Sequence, residues 1–162
     1  MLFIIPCIFA ERSWDNLLIS LKNYWDRDAV ERLLAECMKA GAAEIAEEVD
    51  RYLTGDSREL LGTFVNGELA GLAGIRHEPG KAVGLLHIAV QARLRGRGIG
   101  RAMVEELRRC RGNDMLRAET DLDGAGFFRK SGFVVTSLGE KDPGVERFDC
   151  VLPVSSQAEY AL

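Results

Sequence analysis

The sequence predicts a single α/β domain in which helices alternate with the strands of one mixed sheet. The chain has 162 residues, of which 47% are hydrophobic and 28% are charged, and these values are typical of one globular domain with a full core. Apolar side chains recur at helical spacing in some segments and form strand-length runs in others, and the two kinds of segment interleave. Neither an internal repeat nor a linker divides the chain.

The first half of the chain predicts one short strand, two helices and a β-hairpin. Asp28 opens an amphipathic stretch with an acidic first turn. Asn66 and Gly67 supply the positive φ angles of a type I′ hairpin turn. The predicted elements are a strand over residues 19–22, helices over 29–38 and 42–53, and hairpin strands over 60–65 and 68–76.

The second half of the chain predicts four strands and two helices. Residues 83–90 form a mostly apolar run, which predicts a central strand buried on both faces. Ile99, Met103 and Leu107 repeat at i, i+4 and i+8, which predicts a helix that begins at a loop rich in arginine and glycine. The predicted elements are strands over residues 83–90, 115–120, 133–137 and 147–152, helices over 99–110 and 124–130, and a loop over 137–147.

The net charge and the metal-binding residue types exclude several classes of protein. The formal net charge of −4 argues against a nucleic-acid binder, which needs a basic face. The cysteines and histidines show no C-x-x-C spacing, so we expect no disulfide framework, no metal site and a reducing, cytoplasmic setting. These residues are Cys7, Cys37, Cys110, Cys150, His77 and His87.

Residues 1–16 form an N-terminal apolar extension before the predicted domain at residues 17–162. The first ten residues lack the basic segment and the cleavage site of a signal peptide, and they are far fewer than the roughly 20 residues of a membrane span. We therefore expect no membrane association. Two interpretations stay open, namely an extra strand or turn packed on the core and an interface between the protomers of a homodimer.

The residues that carry chemistry concentrate in the loop at 95–101. Gly96, Gly98 and Gly100 leave the backbone open to a ligand, and the N–H groups that begin the following helix have no intrahelical partners. The positive end of the helix dipole lies at the same place, so the pattern predicts an anion site for phosphate or pyrophosphate. Four arginines place positive charge on this part of an acidic protein, and they are Arg93, Arg95, Arg97 and Arg101.

Known phosphate-binding motifs narrow the choice of ligand. The loop contains no Gly-Lys-Ser/Thr, so it is not a P-loop for ATP or GTP. A dinucleotide fingerprint would need glycine at the position of Arg101 and would lie in an N-terminal βαβ unit. The alternative to a ligand site is that the glycines allow close packing of helix on strand and the arginines are solvated.

Two motifs resemble those of the GNAT superfamily of acyl-CoA-dependent N-acyltransferases. Residues 95–100, Arg-Gly-Arg-Gly-Ile-Gly, are similar to its [QR]xxGx[GA] signature, with 93–98 as a second register, and residues 126–133 are similar to its FYxxxGF segment. The predicted elements over residues 18–152 follow the family's order. The resemblance implies a single α/β (α+β) domain with a mixed, mostly antiparallel central sheet, flanked by helices, in which two parallel strands splay apart.

The resemblance also implies a function. GNAT members transfer an acetyl group from acetyl-CoA to a primary amine of a small molecule or peptide, by direct attack in a ternary complex. Strand residues Ile88, Ala89 and Val90 would bind pantetheine, the Ile88 N–H would polarise the thioester carbonyl, and Asp121 lies where many members carry an asparagine facing pantetheine. The loop residues whose backbone would hold the CoA pyrophosphate are Arg95, Gly96, Arg97, Gly98, Ile99, Gly100 and Arg101.

One position beside the expected CoA site departs from the family pattern. Phe128 stands where the family usually has a tyrosine that protonates the departing thiolate, and a phenyl ring donates no proton. A thiolate like that of CoA leaves readily near neutrality, so the missing donor should slow the reaction without abolishing it, and Ser131 or water could replace it. The departure keeps a second function open, a CoA-binding module with little or no transferase activity. A purely structural or interaction protein is a third.

Two residues are candidates for the base that deprotonates the amine. His87 interrupts an apolar strand just before Ile88, and its ordinary pKa near 6.5 suits a general base; the alternative is a hydrogen-bonded core histidine. Glu119 lies near the end of the neighbouring strand, and the alternative is an exposed carboxylate beside Arg117. The acidic residues around the second helix suit a cationic acceptor or form a solvated face, and they are Glu44, Glu47, Glu48 and Asp50.

Overall fold

The computed structural model describes residues 18–111 and 114–154, and the predicted extension at residues 1–16 lies outside them. The strands are β1 (Ile19–Ser20), β2 (Arg58–Val65), β3 (Glu68–Glu78), β4 (Ala82–Val90), β5 (Met115–Thr120), β6 (Val134–Asp142) and β7 (Val145–Leu152). The helices are α1 (Arg27–Ala35), α2 (Ala42–Thr54), α3 (Ile99–Cys110) and α4 (Leu122–Lys130), with a short 3-10 turn at Ala92–Leu94.

The strands form one seven-stranded sheet in the order β1-β2-β3-β4-β5-β7-β6. Its neighbouring strands are antiparallel except β4 and β5, which run parallel. The parallel pairing covers only three residues of each strand, Ala82–Gly84 against Met115–Arg117. Beyond these residues the two strands separate, so the predicted mixed sheet with a splayed parallel pair is confirmed.

Local signals set the ends of the early elements. The Asp26 side chain caps α1 by accepting a hydrogen bond from the Ala29 N–H at 3.0 Å, so the helix begins at Arg27. It ends at Ala35, so both of its ends lie earlier than the prediction over residues 29–38. The hairpin turn has φ angles of +50° at Asn66 and +78° at Gly67, as a type I′ turn requires.

The prediction of a loop over residues 137–147 is wrong. β6 continues to Asp142 and β7 begins at Val145, so the two strands form a long hairpin with a tight turn at Pro143 and Gly144. The strands stay paired because β6 absorbs two register shifts, one of them next to Gly139, whose φ of +75° suits a bulge. Glycine and charged residues in this segment made a strand look like a loop.

Two hydrophobic clusters cover the two faces of the sheet. One includes Leu107 of α3 and Leu116 of β5, and the other includes Leu34 of α1 and Val49 of α2, all nearly inaccessible to solvent. β4 lies between them. Its first half, Ala82–Leu85, is buried as predicted, whereas residues 86–88 are only half-buried because β5 has moved away.

Gly74 of β3 leaves room for an aromatic side chain of α2. A Cβ at this position would overlap the hydroxyl of Tyr52, a residue that is 3% exposed. We expect Gly74→Ala to lower the free energy of unfolding by about 1–3 kcal/mol, because an extra carbon in a filled core forces neighbours to shift. Chemical denaturation monitored by circular dichroism measures the change.

Gly126→Ala is the matched control for this prediction. Gly126 lies on the exposed side of α4, and a Cβ there meets no atom within 4 Å. Alanine is the better helix former, so this variant should gain about 0.5–1 kcal/mol. A Gly74→Ala variant as stable as the wild type would contradict the packing described here.

Candidate active site

The separation of β4 from β5 opens a site in the middle of the sheet. Gly74 of β3 pairs with His87 and Ile75 pairs with Leu85, so Leu86 is an extra residue in β4 and the strand carries a bulge there. Ile88, Ala89 and Val90 follow the bulge and pair with β3 on one edge only. Their other edge faces the opening, as the resemblance implied.

The predicted anion loop begins α3 with a backbone that is open to a ligand. Gly98 is the N-cap residue, with a φ of +84°, and neither Gly96 nor Gly98 would place a Cβ within 4 Å of another atom. The first bond into the helix joins the Ala102 N–H to the Gly98 carbonyl at 3.0 Å. The N–H groups of residues 99–101 precede it and lack an intrahelical acceptor.

Gly100 differs from the other two glycines. A Cβ there would lie 3.0 Å from the Phe127 ring, so this glycine allows α3 to approach α4 closely. The packing interpretation therefore holds for Gly100, while Gly96 and Gly98 leave space in front of the helix.

Three of the predicted arginines form ion pairs, and that of Arg95 connects the loop to α1. Arg95 donates to the Val90 carbonyl at 3.1 Å and forms an ion pair with Glu36 at 2.7 Å, which connects the loop to the end of α1. Arg93 pairs with Glu68 at the β2–β3 turn. Arg101 lies 3.4 Å from Glu105, one turn further along α3.

His87 is held by a residue that the sequence did not reveal. Its Nδ1 lies 2.7 Å from the hydroxyl oxygen of Tyr52, and the two groups share a hydrogen bond. Burial lowers the pKa of His87 below its ordinary value, partly opposed by the charge of Glu48. Burial raises the pKa of Tyr52, so its hydroxyl stays protonated. His87 is thus kept neutral near pH 7, one residue before Ile88.

The Glu119 carboxylate forms ion pairs with two cationic side chains. Its carboxylate lies 3.1 Å from both Lys141 and Arg147, and the hydrogen bond from Lys141 is the main reason that its pKa is lowered. The expected neighbour, Arg117, pairs instead with Asp149 at 2.9 Å. A carboxylate stabilised in this way is a weak base.

Asp121 caps α4 at the β5 side of the opening. It accepts a hydrogen bond from the Gly124 N–H at 3.2 Å, and Lys39, between α1 and α2, lies 3.2 Å from it. Burial would raise the pKa of Asp121, but these two hydrogen bonds lower it. The carboxylate therefore stays ionised.

Phe128 lies in the hydrophobic cluster that includes Leu107 and Leu116. It is 6% exposed and meets Phe127 and Phe133 edge to face, at ring-centre distances of 5.2 and 5.0 Å. The ring fixes α4 against the sheet.

Three of the four predicted acidic residues around α2 form ion pairs within the chain. Glu47 pairs with Arg51, Glu48 pairs with Arg51 and Arg58, and Asp50 pairs with Arg27. Glu44 accepts a hydrogen bond from the Gly41 N–H at the start of the helix. This pairing favours the solvated face over a recognition surface for a cation.

A cleft of about 680 Å³ lies between α1 and the β2–β3 turn, and Glu36 and Arg93 also line it, next to the anion loop. Its walls include Trp25, which is 84% exposed, with Arg32 and Glu68. Neither His87, Ile88 nor the N-terminus of α3 lines it. The cleft therefore does not coincide with the candidate site.

The comparisons with known proteins agree with this geometry. Residues 56–135 match the family model described as "Acetyltransferase (GNAT) domain". This range runs from β2 to β6 and includes the opening, the glycine loop and α4. Residues 56–135 therefore match a GNAT acetyltransferase domain, and the resemblance seen in the sequence is confirmed.

Solved structures share the fold. An aminoglycoside 6'-acetyltransferase type Ii has a TM-score of 0.72 at 21% identity, over 86% of this chain and 97% of that one. The ribosomal-protein-S18-alanine N-acetyltransferase of Escherichia coli has a TM-score of 0.67 at 19% identity, over 90% and 98%. A Bacillus subtilis acetyltransferase in complex with CoA has a TM-score of 0.60 at 17% identity, over 80% and 93%. Curated proteins gave no match.

Two further features bear on the class of protein. No helix within residues 18–111 and 114–154 is long and apolar enough to span a membrane. The same residues contain no group of three or more His, Cys, Asp or Glu side chains placed to hold a metal ion.

The structure adds residues that sequence reasoning missed. Tyr52 is buried on α2, and its spacing in the sequence does not link it to His87. Glu36 and Lys39 belong to no motif in the sequence. Only the path of the chain between α1 and α2 brings them to Arg95 and Asp121.

The lowered pKa of His87 predicts how stability changes with pH. The unfolded chain takes up a proton on this residue near pH 6.5, before the folded chain does, so the free energy of unfolding should fall as the pH drops below 6.5. His87→Gln should lose this part of the dependence. Denaturation at pH 7.5 and 5.5 measures it. Equal pH dependence in wild type and His87→Gln would contradict the assignment.

Proposed function

We propose that the protein is an N-acetyltransferase that transfers an acetyl group from acetyl-CoA to a primary amine of a small molecule or peptide. The observation that carries the proposal is the start of α3 beside the open edge of β4. There Gly98 caps the helix without a side chain, and the N–H groups of residues 99–101 are free to bind an anion. The family match and the shared fold support it.

The residues present fit CoA. The backbone from Arg95 to Arg101 would hold the pyrophosphate, because Gly96 and Gly98 leave its N–H groups unobstructed. The edge of Ile88, Ala89 and Val90 that lacks a strand partner would pair with the pantetheine arm as a further strand does. Asp121, already bound to the start of α4, can accept a hydrogen bond from a pantetheine amide.

The chain's own groups account for the transfer. The Ile88 N–H, past the end of the β4–β5 pairing, would donate to the thioester oxygen as negative charge develops there. The amine attacks the carbonyl carbon, the tetrahedral centre collapses, and the carbon–sulfur bond breaks to release the CoA thiolate. Activated acetyl-CoA supplies the electrophile, and the protein supplies position and charge stabilisation.

His87 is the better candidate for the base. A neutral imidazole beside Ile88 can take the proton of the amine, whereas Glu119 is held by Lys141 and Arg147. For Nε2 to accept this proton, the ring must carry its own hydrogen on Nδ1 and donate it to the Tyr52 oxygen. Tyr52 would then orient the imidazole.

Because Phe128 is a buried phenyl ring, a second function remains open. With a core phenyl ring at the position of the usual acid, thiolate departure relies on Ser131, water or the start of α4. The alternative is a module that binds CoA without transferring its acyl group.

The free cysteines among the described residues support the proposed cytoplasmic setting.

A panel of amines and peptides, assayed by release of the CoA thiol, tests the function. Release should require both acetyl-CoA and an amine. Gly98→Asp should weaken CoA binding at least about ten-fold, because a carboxylate would lie where the pyrophosphate belongs. Isothermal titration measures the binding.

Gly80→Asp is the matched control. Gly80 has a φ of +78° and, like Gly98, would place a Cβ within 4 Å of no atom, so it reproduces both the strain and the added charge away from the site. Normal CoA binding by a folded Gly98→Asp variant would exclude the site. Tight CoA binding without amine-dependent release would favour the module.

A further inference from the structure

The connection between α1 and α2 lies across the opening between β4 and β5. We call residues 36–39 the strap. At one end, Glu36 forms an ion pair with Arg95 at 2.7 Å, on the β4 side of the opening. At the other end, Lys39 lies 3.2 Å from Asp121, directly after β5. The strap is thus fastened to both sides of the opening.

The middle of the strap reaches the edge of β4. Cys37 keeps some access to solvent, and its thiol donates to the Leu34 carbonyl at 3.3 Å. Burial raises the pKa of this thiol to about 11, while the nearby Ile88 N–H acts in the opposite direction. The strap therefore places a side chain beside the N–H group that the transfer would need.

We propose that the strap closes the CoA site and that CoA binding requires its release from Arg95 and Asp121. This inference rests on the proposed function and adds a gate to the same site. The phosphates of CoA would replace Glu36 as the partner of Arg95, since a guanidinium binds phosphate with two parallel hydrogen bonds. Each ion pair then slows the entry of CoA.

The expected effect is modest because both ion pairs are partly exposed. The side chains of Glu36 and Arg95 are 42% and 52% exposed, and that of Lys39 is 83% exposed. Ion pairs of this kind hold a segment weakly. Breaking either one should therefore raise the association rate constant of CoA by about 1.5- to five-fold.

Glu36→Gln and Lys39→Gln together separate release of the strap from simple charge effects. The first removes a negative charge and the second removes a positive charge, so a general attraction of anionic CoA would change the two rates in opposite directions. Release of the strap raises both. Glu47→Gln is the matched control, because it breaks an ion pair with Arg51 on α2, away from the opening.

Surface plasmon resonance with the full chain immobilised and CoA in solution measures the rate constants. We expect CoA to associate faster with both strap variants than with the wild type, and no faster with Glu47→Gln. It is overturned if Lys39→Gln slows association while Glu36→Gln speeds it, or if neither variant differs from Glu47→Gln. A wild-type chain that fails to bind CoA overturns the proposed function, and the strap proposal with it.

Discussion

The separation of β4 and β5 is the constraint on which the rest of the structure depends. Parallel neighbours in a sheet normally share a ladder along their length, yet these two share it only over Ala82–Gly84 and Met115–Arg117. The Leu86 bulge redirects β4 at the point where the strands separate. The remaining backbone groups of β4 lie in the middle of the sheet but have no strand partner on one side. A peptide-like ligand arm can supply the missing hydrogen-bond partners.

Several otherwise unrelated features converge on this opening. A short 3-10 turn and the glycine loop lead from the end of β4 to the N-terminus of α3. Asp121 follows directly from the end of β5, and His87 lies beside the bulge with its ring held by Tyr52. Gly74 lacks a side chain so that the Tyr52 hydroxyl can reach His87. The site therefore depends on the packing of both faces of the sheet as well as on the glycine loop at residues 95–101.

The sequence predicted most of the fold, and the loop that it marked as a candidate anion site leads into α3. Glycine spacing shows where backbone N–H groups are accessible, so the loop at residues 95–101 is recognisable from the order of its amino acids. Side-chain partners were harder to predict, because Glu119 and Tyr52 meet their neighbours only through long-range folding. The β6–β7 hairpin was missed because Gly139 and Gly144, which allow a bulge and a tight turn, also resemble loop residues.

The most direct measurement of the central claim is a titration of the ¹⁵N-labelled chain with CoA, followed by backbone amide chemical shifts. We expect the largest changes on the N–H groups of Ile88, Gly98, Ile99 and Gly100, because these groups would contact the thioester end and the pyrophosphate. The indole N–H of Trp25, in the cleft beside α1, should change less than these groups. Changes concentrated around Trp25, with the α3 N-terminus unaffected, would contradict the account.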